Sequence, residues 1–304
     1  MKNHKKILTF PLVEVVQSEQ QRPPGTRRAG KGVVNMDGLE PMPAASMVCM
    51  AVSLVISFAA PLGLALWLCR RGGKWRDFFL GAAVFFLFAM VLEQGVHSLV
   101  LGSTLGQTIT GNLVLYALYG GLMAGLFEET GRLLAFRLLR PGSGAPQRAL
   151  MYGAGHGGME AILLVGLTNI SNLLLSWWIN TGTLEQNLGG LDDSTLQAIA
   201  VAAAQPSLNY LWGGLERVVA IAIHLSLSVL VYAAFTRGRR GVPMFFAAVL
   251  LHAGVDACSI VAAAFLPIAG VELVALIWAV GLALLARRVY RSQRGNFGEM
   301  CKNT

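Results

Sequence analysis

Four apolar stretches of this chain carry ionisable residues at helical spacing. Glu128-Glu129 with Arg132, His156 with Glu160, and His252 with Asp256 each place charged or titratable groups about one turn apart. The fourth stretch holds Glu216-Arg217 and, two turns further on, His224. Ionisable groups in hydrocarbon are costly and stay rare unless they pair or serve a site. Several of them on separate apolar segments imply one shared polar cluster. Glutamate and histidine together in such a cluster suit metal ligation or acid–base chemistry.

Each motif also has a plainer structural reading. Glu128 and Arg132 are spaced for an ion pair, but two adjacent glutamates cannot share a helix face, so they must have different tasks. The run Gly155-His156-Gly157-Gly158-Met159-Glu160 allows close helix approach. It also puts Glu160 where a carboxylate would orient the His156 imidazole. Glu216 and Arg217 point in different directions and are expected to pair across helices. A single buried histidine such as His224 is more often a satisfied core residue than a ligand, whereas His252 with Asp256 forms an orienting pair. Glu93 and His97 read as an accessory or structural pair, and Asn169, Asn172 and Asn180 as packing groups or lining of the outer mouth. Cys49, Cys69, Cys258 and Cys301 show no CxxC spacing and give no disulfide or zinc-thiolate framework. HExxH, GxSxG and the Walker phosphate-binding loop are absent from the sequence.

The elements that must position these groups follow from composition. The 304 residues are 55% hydrophobic and 13% charged, with mean hydropathy +0.58. A soluble domain carries about 25% charged residues. An all-α, polytopic membrane helix bundle of about seven spans is predicted, at roughly 44–69, 77–101, 110–139, 149–178, 208–236, 242–266 and 268–287. Residues 1–42 read as a disordered polar tail, 43–290 as the transmembrane domain and 291–304 as a cytoplasmic tail. The Ala-rich segment 194–205 reads as an interfacial helix before Pro206. A net charge of +8 would suggest nucleic acid in a soluble protein, but here the Lys and Arg cluster in short loops and no soluble domain could carry such binding.

Those loops set the orientation. Arg70, Arg71, Lys74 and Arg76, then Arg137, Arg140 and Arg148, then Arg237, Arg239 and Arg240, then Arg287, Arg288 and Arg291 all fall on one side of the predicted spans. The opposite loops carry Glu185, Asp192, Asp193 and Glu272. Positive-inside bias puts the basic loops and the C-terminus in the cytoplasm and the N-terminus outside, in a bacterial plasma membrane; the basic N-terminal tail runs against this, but it lies far from a span. Counted from the basic loops, Glu128, His156, His224 and His252 all lie about 12–20 Å from the same face. A common depth on four helices is the strongest sequence evidence for a single site.

In that order and spacing, the motifs resemble the YhfC-type membrane peptidases. These are related to the CAAX prenyl protease and bacteriocin-processing superfamily and to PrsW-like proteases. Glu128-Glu129, His224 and His252-Asp256 follow the superfamily pattern, and His156 with Glu160 matches the additional YhfC-type motif. Arg132 departs from the superfamily in standing three residues after Glu129 instead of four. The resemblance covers roughly residues 44–287 and implies intramembrane proteolysis of a membrane protein or lipidated peptide. It implies a general base from the Glu128-Glu129 pair. It also implies that His224 and His252, with His156 and Glu129, either bind zinc or polarise water directly. Arg132, Glu160, Glu216, Arg217 and Asp256 complete the implied site, with membrane lipid as surroundings and no nucleic-acid partner. Two competing readings use the same residues: a non-catalytic scaffold or chaperone, and an ion-coupled transporter.

Overall fold

The computed structural model describes residues 39–138 and 147–300, with side chains through residue 292. The predicted tail up to residue 38, Arg140 and Cys301 lie outside the described residues. Among the described residues the secondary structure is helical, with no strand. Helix α1 spans Ala44–Cys69 and α2 spans Trp75–Leu101. The short α3 (Thr104–Thr110) precedes α4 (Leu113–Leu138). Then come α5 (Gln147–Asn180), α6 (Leu184–Leu188), α7 (Asp193–Ala203) and α8 (Ser207–Thr236). A 3-10 turn, Gly238–Gly241, leads into α9 (Val242–Phe265), and α10 covers Ile268–Met300.

Among the described residues, six helices are long and apolar enough to cross a membrane: α1, α2, α5, α8, α9 with its leading turn, and α10 as far as Ser292. The chain is thus an integral, multi-pass membrane protein. The remaining predicted span, 110–139, corresponds to α4, which passes the same test only together with α3, bent from it by 109°. The reason is chemical. Glu128, Glu129 and Arg132 sit in α4 and lower its hydropathy, so the span that carries the glutamate pair reads weakest by composition. Asn112 starts α4 by accepting from the backbone N–H groups of Val114 and Leu115 at 3.0 and 3.1 Å.

The described helices form two compact units, residues 39–55 with 163–214, and residues 56–138 and 147–162 with 215–300. In the first, Asn180 bonds the Met42 backbone N–H at 2.7 Å and Ser46 meets Ser207 at 2.9 Å. Its α7 takes up the Ala-rich segment 194–205 as a helix and is capped by Asp192, which accepts from the Ser194 hydroxyl at 2.6 Å and the Thr195 N–H at 2.8 Å. Those bonds, the Ser194 hydroxyl first, hold the Asp192 carboxyl below its ordinary range.

The second unit contains every predicted site residue. Glycines set its helix spacings. A Cβ on Gly121 or Gly125 of α4 would collide with the backbone of Ala253 or Val249 on α9. A Cβ on Gly155 of α5 would collide with the Phe78 carbonyl of α2, and one on Gly157 would press on Ile221 and His224 of α8. Small residues at these crossings let backbones touch, the usual substitute for hydrophobic drive between helices in lipid. The aromatic core of this unit includes Phe136, Tyr152 and Tyr232, with Phe136 and Tyr232 edge to face at 5.3 Å.

Candidate functional site

The α4 glutamates divide their tasks. Glu129 is fully buried and accepts from Arg132 Nη1 at 2.9 and 3.0 Å, while its Oε1 lies 2.8 Å from His252 Nδ1. Glu128 turns to the other side. Its Oε2 lies 2.8 Å from His156 Nε2, 3.8 Å from His224 Nδ1 and 3.9 Å from His252 Nε2. The expected i,i+4 pair of Glu128 with Arg132 is therefore replaced by the i,i+3 pair of Glu129. Only Glu129 stacks over Arg132 on the face that α9 covers, which leaves Glu128 aimed at the imidazoles.

The hydrogen bonds fix the histidine tautomers. Arginine only donates, so Arg132 Nη2 at 3.1 Å makes His224 Nδ1 an acceptor with a lone pair. His224 Nε2, on the far side of the ring, lies 2.5 Å from Glu160 Oε2. His252 Nδ1 donates to Glu129, which leaves Nε2 as the lone-pair nitrogen of the neutral ring. Thus the His224 and His252 rings each back onto a carboxylate; the His252 Nε2 lone pair lies on the side of Glu128, whereas that of His224 Nδ1 accepts from Arg132. Carboxylates behind metal-binding histidines do the same work, fixing ring orientation and raising ligand basicity.

Glu160 does not meet His156, as its spacing suggests. It reaches His224 and accepts from Arg217 Nη1 at 2.7 Å. Arg217 in turn pairs with its own neighbour Glu216, so the expected cross-helix pairing holds for Arg217 but not for Glu216. Asp256 Oδ2 lies 3.6 Å from His252 Nε2. His156 is fully buried, with Phe85 edge-on at 5.2 Å and the Tyr152 hydroxyl 3.5 Å from Nδ1. Glu93 and His97 do pair, at 3.2 Å, with His97 Nδ1 on the Tyr119 hydroxyl at 2.9 Å; neither lines the cavity described next.

Glu128, Glu160, Glu216, Arg217, His224, His252 and Asp256 line a cavity of about 240 Å³. Glu129, Arg132 and His156 lie behind that wall. Ser259, two turns beyond His252 on α9, also lines the cavity and escaped the sequence reading, although its shared face with His252 marks it. The donor atoms of Glu128, His224 and His252 fall within 4.8 Å of one another. Two imidazoles and one carboxylate around an accessible cavity match the donor set of catalytic zinc sites, which keep a further position open. Arg132 Nε is buried without a hydrogen-bond partner among the described residues. The convergent set differs from the expected one. Glu128 takes the place foreseen for Glu129, because Arg132 and His252 Nδ1 occupy Glu129. His156 supports Glu128 from behind.

Comparison with known proteins agrees with this arrangement. The sequence profile of the YhfC intramembrane metalloprotease family matches residues 56–289. A Bacillus subtilis (strain 168) relative, named uncharacterized membrane protein YhfC, is 40% identical over 213 residues, covering 68% of this chain and 81% of its own length. No solved structure matches the chain significantly. The profile takes in α2, α4, α5, α8 and α9, the helices that bear the clustered glutamates and histidines and their supports, and on that extent the chain belongs to the YhfC intramembrane metalloprotease family.

Proposed function

We propose that this protein is an intramembrane peptidase that hydrolyses a peptide bond of a membrane protein or lipidated peptide. The observation that carries this reading is the convergence of Glu128, His224 and His252 on one cavity within the bundle. Peptide hydrolysis in lipid needs a held water, a base, and stabilisation of the developing oxyanion. A cavity lined by carboxylates and imidazoles provides a polar place for water where the surroundings are apolar.

Each residue then has a distinct role. Glu128 is the base: its Oε2 faces the imidazoles and His156, while Oε1 has no hydrogen bond among the described residues and is left to take the proton of a water. His252 holds that water through Nε2, beside the His224 Nδ1 that accepts from Arg132. Glu129 and Glu160 orient the two rings from behind, and Arg132 and Arg217 lock those carboxylates. Asp256, beside His252 and partly exposed to the cavity, steadies the incoming peptide or the departing amine. Glu128, His224 and His252 would hold zinc, which when bound polarises the water and the scissile carbonyl.

The test uses purified full-length protein with a membrane-embedded model substrate, and it measures cleavage and bound zinc together. Glu128→Gln removes the base with little change of shape, and loss of a general base typically costs about 10²–10⁴-fold in rate. His252→Ala is expected to lose both zinc and activity, and chelation followed by zinc return is expected to abolish and restore cleavage by the parent. Parental rates in both variants would overturn the peptidase reading in favour of a non-catalytic scaffold. Activity that survives chelation would keep the base and remove the metal.

A further inference from the structure

A second cavity, of about 350 Å³, lies at the junction of α4, α8 and α9, at their basic ends. Leu133 of α4, Phe235 of α8, and Val242 and Phe245 of α9 make its apolar wall. Arg137 and Arg239 also line it, and both are exposed. No carboxylate lines this cavity among the described residues, and neither arginine forms an ion pair there. Gly238, at φ +56, turns the chain sharply out of α8 so that Arg239 arrives beside the end of α4.

The combination is chemically specific. An apolar slot alone would take any acyl chain, and an exposed arginine alone would stay solvated. Here an apolar wall ends at two guanidiniums that have no carboxylate counterion among the described residues. Arginine presents forked donors that match the oxygens of a phosphodiester. Of the basic positions at these helix ends, Arg148 and Arg76 are drawn to Asp77, at 3.3 and 3.5 Å, whereas Arg137 and Arg239 have no carboxylate partner among the described residues. The volume lies at the small end of ligand pockets, about 300–1,000 Å³, which suits a headgroup phosphate and the start of one acyl chain.

We infer that this cavity binds an anionic glycerophospholipid from the membrane leaflet at the basic end, with the phosphate on Arg137 and Arg239 and an acyl chain along Leu133, Phe235 and Phe245. Basic pockets between transmembrane helices on that side recognise anionic head groups. The site is separate from the catalytic cluster and does not depend on its chemistry, since the two cavities share no lining residue.

Native mass spectrometry of the full-length protein in mild detergent tests this, with phosphatidylglycerol and phosphatidylcholine as competing probes. The parent is expected to retain phosphatidylglycerol about tenfold or more in preference to phosphatidylcholine. The double variant Arg137→Gln/Arg239→Gln is expected to lose the preference, and Arg137→Lys/Arg239→Lys to keep part of it. Leu133→Trp, which fills the slot and leaves both arginines, is expected to weaken phosphatidylglycerol retention as well. Equal retention of the two lipids by the parent, or an undiminished preference in the glutamine variant, overturns the site. Displacement of the lipid by millimolar inorganic phosphate would identify a free-anion site and overturn the lipid assignment.

Discussion

The neighbouring residues Glu128 and Glu129 have opposite energetic roles. Glu129 is sealed between Arg132 and His252, so removing its charge leaves a buried guanidinium uncompensated. Breaking a buried ion pair from one side costs about 3–5 kcal/mol. Glu128 faces a cavity and gives up only its contact to His156. Glu129→Gln is therefore expected to lower the thermal midpoint markedly in detergent, and Glu128→Gln to leave it near the parental value while abolishing cleavage. A stable Glu129→Gln protein beside an unfolded Glu128→Gln protein would reverse the assignment of the pair. The sequence already showed that two adjacent glutamates need different tasks, because they project about 100° apart on a helix. It could not say which one Arg132 takes: spacings of three and four residues both pair on a helix, and the packing of α9 decides between them. The same limit applies to Glu160. Its helix face is legible from the spacing to His156, yet its partners Arg217 and His224 come from α8, whose rotation about its own axis is set by tertiary contacts.

At the scale of elements, the site depends on how closely α4 approaches α9. Gly121 and Gly125 permit that approach, and they place Glu129 within 2.8 Å of His252. A larger side chain at Gly125 must push the helices apart, since its Cβ would meet the backbone at Val249 and not a movable side chain. Overpacking typically costs about 1–3 kcal/mol. Gly125→Leu is expected to insert in the membrane and keep its helical circular-dichroism signal, but to lose zinc and cleavage because Glu128 and Glu129 move away from His252. Gly63→Leu, which meets nothing within 4 Å, is the matched control and is expected to behave as the parent. Full zinc binding and cleavage by Gly125→Leu would show that the α4–α9 contact does not set the site. Most of the helices were legible from apolar runs alone, and α1, α5 and α8 begin and end within a few residues of the sequence reading. The π-helical segments were not. Phe86–Glu93 ends on Glu93, and Ala161–Gly166 begins just after Glu160. A π turn leaves composition unchanged and shifts only the phase of the side chains, so periodicity at 3.6 residues misses it.

For the whole molecule, charge orders the chain across the membrane. The ends of α1 and α2 around Lys74, of α4 and α5 around Arg137 and Arg148, of α8 and α9 around Arg239, and the last turns of α10 all carry cations. The alternate connections carry Glu185, Asp192 and Asp193, and Glu272 near the start of α10. Positive charges near span ends resist translocation, so this asymmetry is expected to orient the bundle with the basic ends in the cytoplasm. Whether α4 crosses then decides where the two ends of the chain lie. Six spans return the chain to the side from which it started, and seven do not. Its charges do not prevent α4 from crossing, because Glu128, Glu129 and Arg132 are buried against other helices and turned away from lipid. Seven spans with a cytoplasmic C-terminus are therefore expected, with the N-terminus outside. Reporter fusions at Arg240 and at Asp192 should report opposite sides, the first cytoplasmic, and one placed before Ala44 should agree with Asp192. A cytoplasmic signal before Ala44 with the others unchanged would leave α4 short of crossing, and the polar cluster would then open from a re-entrant helix instead of a span.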